Sequence, residues 1–237
     1  MTVLVLFDID GTLLLAHGAG RRSVHRAMTD VFGVTGPQLH PFDGKTDPQI
    51  VRELGTMAGV AEDVIHEKMS FALDRYYEYL DADITGAPET VELLPGVHAL
   101  LDALEARADV MLGLLTGNIE AGASLKLRAV NINFERFVVG AYGSDAPTRP
   151  ALPAIAQSRA SSRLGRELPG SRIVIIGDTP HDLTCGRAIG ARAIGVETGR
   201  FTAAELHPHE PLAVFANLAD TDAVVSAITS VAAERAA

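Results

Sequence analysis

The chain has 237 residues, 47% of them hydrophobic, enough for one large α/β domain or a domain with a smaller insert. A formal net charge of −10 argues against a nucleic-acid surface or an anionic membrane as partner, but not against a small anionic substrate held in a cleft. The single cysteine, Cys185, excludes an intrachain disulfide framework and a CxxC metal site; the chain opens on a buried-strand pattern rather than a signal peptide, no apolar run approaches a membrane span, and the expectation is a cytoplasmic protein.

Residues 3–15 read VLVLFDIDGTLLL. Val3 to Phe7 is an unbroken apolar run, the pattern of a strand buried on both faces. Asp8 and Asp10 follow, then Gly11 and Thr12 turn the chain. Residues two apart in extended backbone point the same way, so the two carboxylates lie side by side past the carboxyl end of the strand. In open α/β sheets ligands bind there. Adjacent carboxylates repel unless a cation lies between them or one holds a proton, and both conditions suit phosphate chemistry.

Helical spacing predicts a helix from Arg21 to Phe32, ended by Gly33. The loop 41–48 leads into a second helix, with Asp47 as expected N-cap and Pro48 at the first helical position. A third helix is expected from Glu62 to about Leu80, followed by a polar Gly/Pro loop over 81–88. No strand is expected between 16 and 88. From residue 95 the pattern becomes helix 95–107, strand 109–115, helix 119–130, strand 138–140, helix 150–165, strand 172–176, helix 180–189 and strand 191–196. A last strand, 212–215, and helix, 220–233, close the chain. Alternation of this kind predicts a mostly parallel, Rossmann-like α/β sheet covered on both faces, and the first strand must join it. The organisation expected is an α/β core of residues 1–15 and 89–237 with an all-helical insert over 16–88.

Three strands in this reading end in DID, LLTGN and IIGD, and parallel strands end on one side. Thr116 offers a hydroxyl, and the amides of Gly117 and Asn118 open a helix, a natural anion site, though the same residues suit a plain helix cap. Asp178 and Asp182 extend the carboxylate set to four, a poor structural design without a hard cation such as Mg²⁺. Arg149, before Pro150, is the expected fixed positive charge. Lys126 and Arg128 lie mid-helix and are expected to be solvated. His17, His25 and His181 carry no motif support, and Cys185 reads as packing.

Together these blocks resemble the haloacid dehalogenase superfamily of hydrolases. Asp8-Ile9-Asp10-Gly11-Thr12-Leu13, Thr116-Gly117-Asn118, a basic residue before a proline, and Gly177-Asp178 with Asp182 stand in family order. The helical insert resembles the family's cap domain, and Pro95-Gly96-Val97 its entry into the first core helix. One departure is the third block, where the family usually has a lysine and this chain has Arg149, which keeps the charge with different reach and hydration.

The resemblance implies a phosphatase in which Asp8 takes the phosphoryl group and Asp10 protonates the leaving oxygen, then deprotonates water. It implies phosphoryl binding by Thr116, Gly117, Asn118 and Arg149. It places Mg²⁺ on Asp8, the carbonyl of Asp10 and Asp178, with Asp182 orienting a metal water or Arg149. The presence of Asp10 sets this chain apart from dehalogenases and from Schiff-base phosphonate cleavage. The loop Gly44-Lys45-Thr46-Asp47 resembles the cap loop of phosphoglycolate-phosphatase-like members, which points to Lys45 and Thr46 for specificity and to hinges near 15–20 and 81–95. The expected substrate is a small phosphorylated metabolite, phosphoglycolate at the family level. A sugar-phosphate mutase and a catalytically silent binding protein on the same fold are the alternatives. The sequence leaves the oligomeric state open.

Overall fold

The computed structural model describes residues 2–233. The first strand, β1 (Val3–Phe7), continues briefly in β2 (Leu14–Leu15). Three helices follow: α1 (Ala19–Phe32), α2 (Asp47–Met57) and α3 (Glu62–Gly86). The short β3 (Glu92–Leu93) returns to pair antiparallel with β2. Then come α4 (Val97–Glu105), β4 (Val110–Leu115), α5 (Glu120–Ala129), β5 (Val139–Ala141) and α6 (Leu152–Leu164). The chain ends with β6 (Ile173–Gly177), α7 (Pro180–Cys185), β7 (Arg192–Val196), α8 (Ala203–Leu206), β8 (Ala213–Phe215) and α9 (Thr221–Ala233).

Six strands form one sheet in the order β5-β4-β1-β6-β7-β8, with every neighbouring pair parallel. The α/β expectation holds, and β1 sits at the centre of the sheet between β4 and β6. Its apolar run is explained by that position: Val3, Val5 and Phe7 pack on one face of the sheet, Leu4 and Leu6 on the other. The first face meets Leu100, Leu101 and Leu104 of α4 and Val224 and Ile228 of α9; the second meets Leu152, Ala156 and Ala160 of α6. Each fully buried aliphatic side chain of this kind contributes roughly 1.5–3 kcal/mol.

The three helices between β2 and β3 pack on one another through Val24, Met28, Ile50, Leu54, Ala72 and Tyr76. α3 also lies against α5 of the sheet layer, where Leu80 sits over Gly122. Two local expectations are corrected. The stretch 81–86 is helical, because Leu80 and Ile84 are buried and Asp83 pairs with Arg22 and Arg26, so tertiary contacts extend α3 through residues of weak helix preference. The N-cap of α2 is Thr46, whose hydroxyl accepts from the Gln49 N–H at 3.2 Å, which leaves the Asp47 carboxylate available elsewhere. Among the described residues no helix is long and apolar enough to cross a membrane.

Candidate active site

Parallel pairing of β4, β1 and β6 brings three loops to one edge of the sheet. Asp8 directly follows β1, and its N–H still donates to the Ile176 carbonyl at 2.9 Å, so its carboxylate is fixed by the sheet. Asp8 is 6% exposed and Arg149 3%. One guanidinium nitrogen of Arg149, Nη2, donates to Asp8 Oδ1 at 2.9 Å, to the Leu115 carbonyl at 3.0 Å and to Asp182 Oδ1. The other Asp182 oxygen accepts from Thr179 N at 3.0 Å and Thr179 Oγ1 at 2.7 Å, in a capping box that starts α7. Both Asp182 oxygens are therefore committed to protein donors.

Asp178 sits where a Cβ on Gly11 or on Gly199 would overlap its carboxylate. Gly11 has φ +84°, which a residue with a side chain rarely adopts. The loop 198–200 is held there by Thr198, whose hydroxyl donates to the Gly11 carbonyl at 2.5 Å. No sequence pattern marked this loop.

Asp8, Asp178 and Asp182 each offer an oxygen within 4.8 Å of the others, all buried. Burial pushes Asp8 up to about 7 against the pull of Arg149, with Asp182 and Asp10 adding repulsion. Burial also raises Asp178, reinforced by the charges of Asp182 and Asp8. Burial opposes the Arg149 charge as well, but the carboxylates of Asp182 and Asp8 outweigh it and hold the guanidinium above its ordinary range. One guanidinium does not neutralise this cluster, and the oxygen-only donor set suits a hard divalent cation.

Asp10 lies outside that cluster, with its side chain 43% exposed. Lys126 Nζ donates to its two oxygens at 2.8 and 2.7 Å and to Asn118 Oδ1 at 2.6 Å. Asn118 Nδ2 closes the ring by donating to Asp10 Oδ2 at 2.8 Å, and it also reaches Thr116 Oγ1 at 2.7 Å. The expectation that Lys126 is solvated is corrected: it is 3% exposed. Ile119, Ala123, Lys126, Leu127 and Val130 form the inward stripe of α5, and a lysine within that stripe was the signal. Arg128 is exposed, as expected.

The loop 43–47 docks on the loop 116–119. A Cβ on Gly117 would overlap the Lys45 carbonyl oxygen. The Asp47 N–H donates to the Gly117 carbonyl at 2.8 Å, and the Asp47 carboxylate accepts from the Ile119 N–H at 2.8 Å. Thr46 is fully buried and donates to the Pro147 carbonyl at 2.8 Å, so it does not line the cavity. Lys45 does line it, with its ammonium on Glu53 at 2.5 Å and His40 at 3.0 Å. His17 is exposed and pairs with Glu92, His25 is buried with Nδ1 2.7 Å from the Thr35 carbonyl, and His181 is exposed over Gly44. Burial pushes the Cys185 thiol up to about 12, consistent with packing.

A cavity of about 490 Å³ lies over these residues, lined among others by Asp8, Asp10, Thr116, Asn118, Arg149 and Asp178. On its far side stand Arg21, Phe42, Lys45 and Tyr76 from the inserted segment.

Comparison with known proteins agrees with this arrangement. A 5'-nucleotidase of Pseudomonas aeruginosa is 27% identical over 216 residues, covering 91% of each chain. A hydrolase structure from Pseudomonas syringae superposes with a TM-score of 0.69 at 18% identity, over 96% of this chain and 99% of that one. A structure described as a predicted phosphoglycolate phosphatase, from Haemophilus somnus, gives 0.67 at 20% identity, over 94% and 98%. Residues 5–196 match the sequence profile of the haloacid dehalogenase-like hydrolases, and with the carboxylates and strand ends arranged as above, the chain belongs to that family.

Proposed function

We propose that this hydrolase of the phosphatase kind cleaves small organic phosphomonoesters with Mg²⁺, through an aspartyl-phosphate on Asp8. The observation that carries the reading is the convergence of Asp8, Asp10, Thr116, Asn118, Arg149 and Asp178 on one cavity. Asp8 is the nucleophile: its carboxylate is buried at the cavity floor and oriented by Arg149. Arg149 and the Thr116–Asn118 loop hold the phosphoryl oxygens, since positioning and charge dominate such transfers. Asp10 gives a proton to the departing alkoxide oxygen as the P–O bond breaks. It then takes one from the water that attacks the aspartyl-phosphate, which releases phosphate and restores the Asp8 carboxylate.

Asp8, the Asp10 carbonyl and Asp178 are the residues that would hold Mg²⁺. Asp182, with both oxygens taken by Arg149 and Thr179, fits the outer position. When bound, the cation offsets the charge on Asp8 and on the phosphoryl oxygens. The helices of residues 16–88 act as a cap over the core of 1–15 and 89–237, with hinges narrowed to about 15–18 and 87–95, since 81–86 belongs to α3 and Ala19 opens α1. Lys45 faces the leaving group from that cap, and Thr46 fixes the loop that carries it.

The test is phosphate release from a panel that includes phosphoglycolate, sugar phosphates and nucleoside 5'-monophosphates, with Mg²⁺ and with EDTA, for wild type and Asp8→Asn. Metal-dependent release that vanishes in the variant is expected, and phosphoglycolate is expected to rank high. No phosphate from any ester, or an isomerised sugar phosphate in its place, would overturn the reading.

A further inference from the structure

Among the described residues, Lys126 is the one buried cation of the site that the phosphatase reading leaves without a task. It comes from the last turn of α5 rather than from one of the three strand-end loops. Its ammonium places its three hydrogen bonds on Asp10 Oδ1, Asp10 Oδ2 and Asn118 Oδ1, at 2.8, 2.7 and 2.6 Å. A buried ammonium is costly unless paired, so a lysine kept here must match its acceptors closely.

Resting on the reading of Asp10 as the proton-transfer group, we infer that Lys126 is its positioning residue. It fixes where the Asp10 carboxyl lies when the leaving-group oxygen takes its proton. Three features support this. The contact is two-pronged, so it constrains rotation of the carboxyl about its Cα–Cβ and Cβ–Cγ bonds, where a single bond would leave a swing. Asn118 completes a closed ring with Asp10 and Lys126, and the same Asn118 amide reaches Thr116 in the phosphate loop. The placement of Asp10 and of the phosphate loop is thereby linked through one side chain. Finally, the Asp10 side chain is 43% exposed at the cavity, so the ring supplies the order that burial does not.

The bond broken is P–O of the ester and the bond formed is P–O to Asp8. The electron pair leaves with the alkoxide oxygen, and that oxygen receives the Asp10 proton. Lys126 keeps its own protons throughout.

The role makes a demand that a purely structural lysine does not. An alkyl leaving group needs the proton, whereas p-nitrophenolate departs without it. Wild type, Lys126→Met and Lys126→Gln are compared by kcat/KM on a simple alkyl phosphate and on p-nitrophenyl phosphate. Because the ratio of the two is taken within each variant, loss of folded protein cancels. The alkyl-to-nitrophenyl ratio is expected to fall by about 30-fold in both variants, part of the roughly 100- to 10,000-fold that general acid–base catalysis contributes, because Asp10 itself is retained. An unchanged ratio would overturn the role of Lys126, whether the rates fall together or not at all. Wild type that turns over neither ester would instead sink the phosphatase reading on which the role rests.

Discussion

The carboxylate of Asp47, in the first turn of α2, caps the backbone N–H of Ile119, just before α5, at 2.8 Å. The helix that carries Lys126 thus takes its N-terminal acceptor from the inserted segment, because no side chain of its own start performs this task. Asp47→Ala is expected to lower stability by about 0.5–2 kcal/mol, the usual cost of losing a cap, read as a lower urea midpoint at unchanged slope. The same variant should raise KM, since the loop 116–119 is then tied to the loop 43–47 only by the Asp47 N–H bond to the Gly117 carbonyl.

Asp47 also predicts a pH effect. Burial raises it from 3.8 to about 6, opposed by Lys126 and the Ile119 N–H. The folded protein then binds more protons than the unfolded chain between about pH 4 and 6, so this group lowers stability as pH rises through that window. Asp47→Asn removes the titration. The stability of Asp47→Asn relative to wild type should therefore increase from pH 4 to pH 6.5 and level off above it. A flat difference across that range, measured by urea unfolding, would refute the assignment.

Arg149 serves Asp8, Asp182 and the Leu115 carbonyl from one nitrogen. An ammonium has three N–H donors for these three acceptors, so Arg149→Lys should fold and keep activity within about tenfold, while Arg149→Met leaves buried carboxylates without a cation and should cost about 3–5 kcal/mol. Thermal and urea unfolding of the two variants, with phosphate-release assays on the folded one, separate the cases.

Cation binding should stabilise the protein through Asp8 and Asp178. At a Mg²⁺ concentration 100 times the dissociation constant the gain is about 2.7 kcal/mol. Both groups are raised by burial, Asp8 to about 7, and must lose their protons to ligate, so the gain should be smaller at pH 5.5 than at pH 8. Asp178→Asn should abolish most of it. A Mg²⁺-induced rise in Tm equal in wild type and variant would argue against this pair as ligands.

Steric contact gives a further variant. Gly117→Ala pushes a methyl group into the Lys45 carbonyl, so the loops 43–47 and 116–119 must separate. Such overpacking costs typically about 1–3 kcal/mol, and here it should raise KM more than it lowers Tm. Steady-state kinetics beside a thermal melt would show it.

Much of this site is legible in the chain because its parts sit at strand ends. The run Val3–Phe7 gives β1, and Asp8, Thr116 and Asp178 follow from where apolar runs stop. Arg149 is found by its place before a proline. Lys126 is harder to see, since helix spacing says which face it occupies and only the tertiary fold says what that face meets. The close approach of Gly199 to Asp178 has no local sign at all, because it joins a loop 21 residues downstream to a strand end. The extension of α3 to Gly86 depends on Arg22 and Arg26, some 60 residues away, pairing with Asp83.

The two glycines that flank Asp178 carry a further meaning for sequence change. Neither Gly11 nor Gly199 has a side chain with which to react or bind, yet a Cβ at either position would displace the Asp178 carboxylate between them. In a saturation library scored by activity, these two positions should tolerate as little as the aspartates themselves. A survey that ranks positions by intolerance would thus flag residues whose contribution is the room they leave.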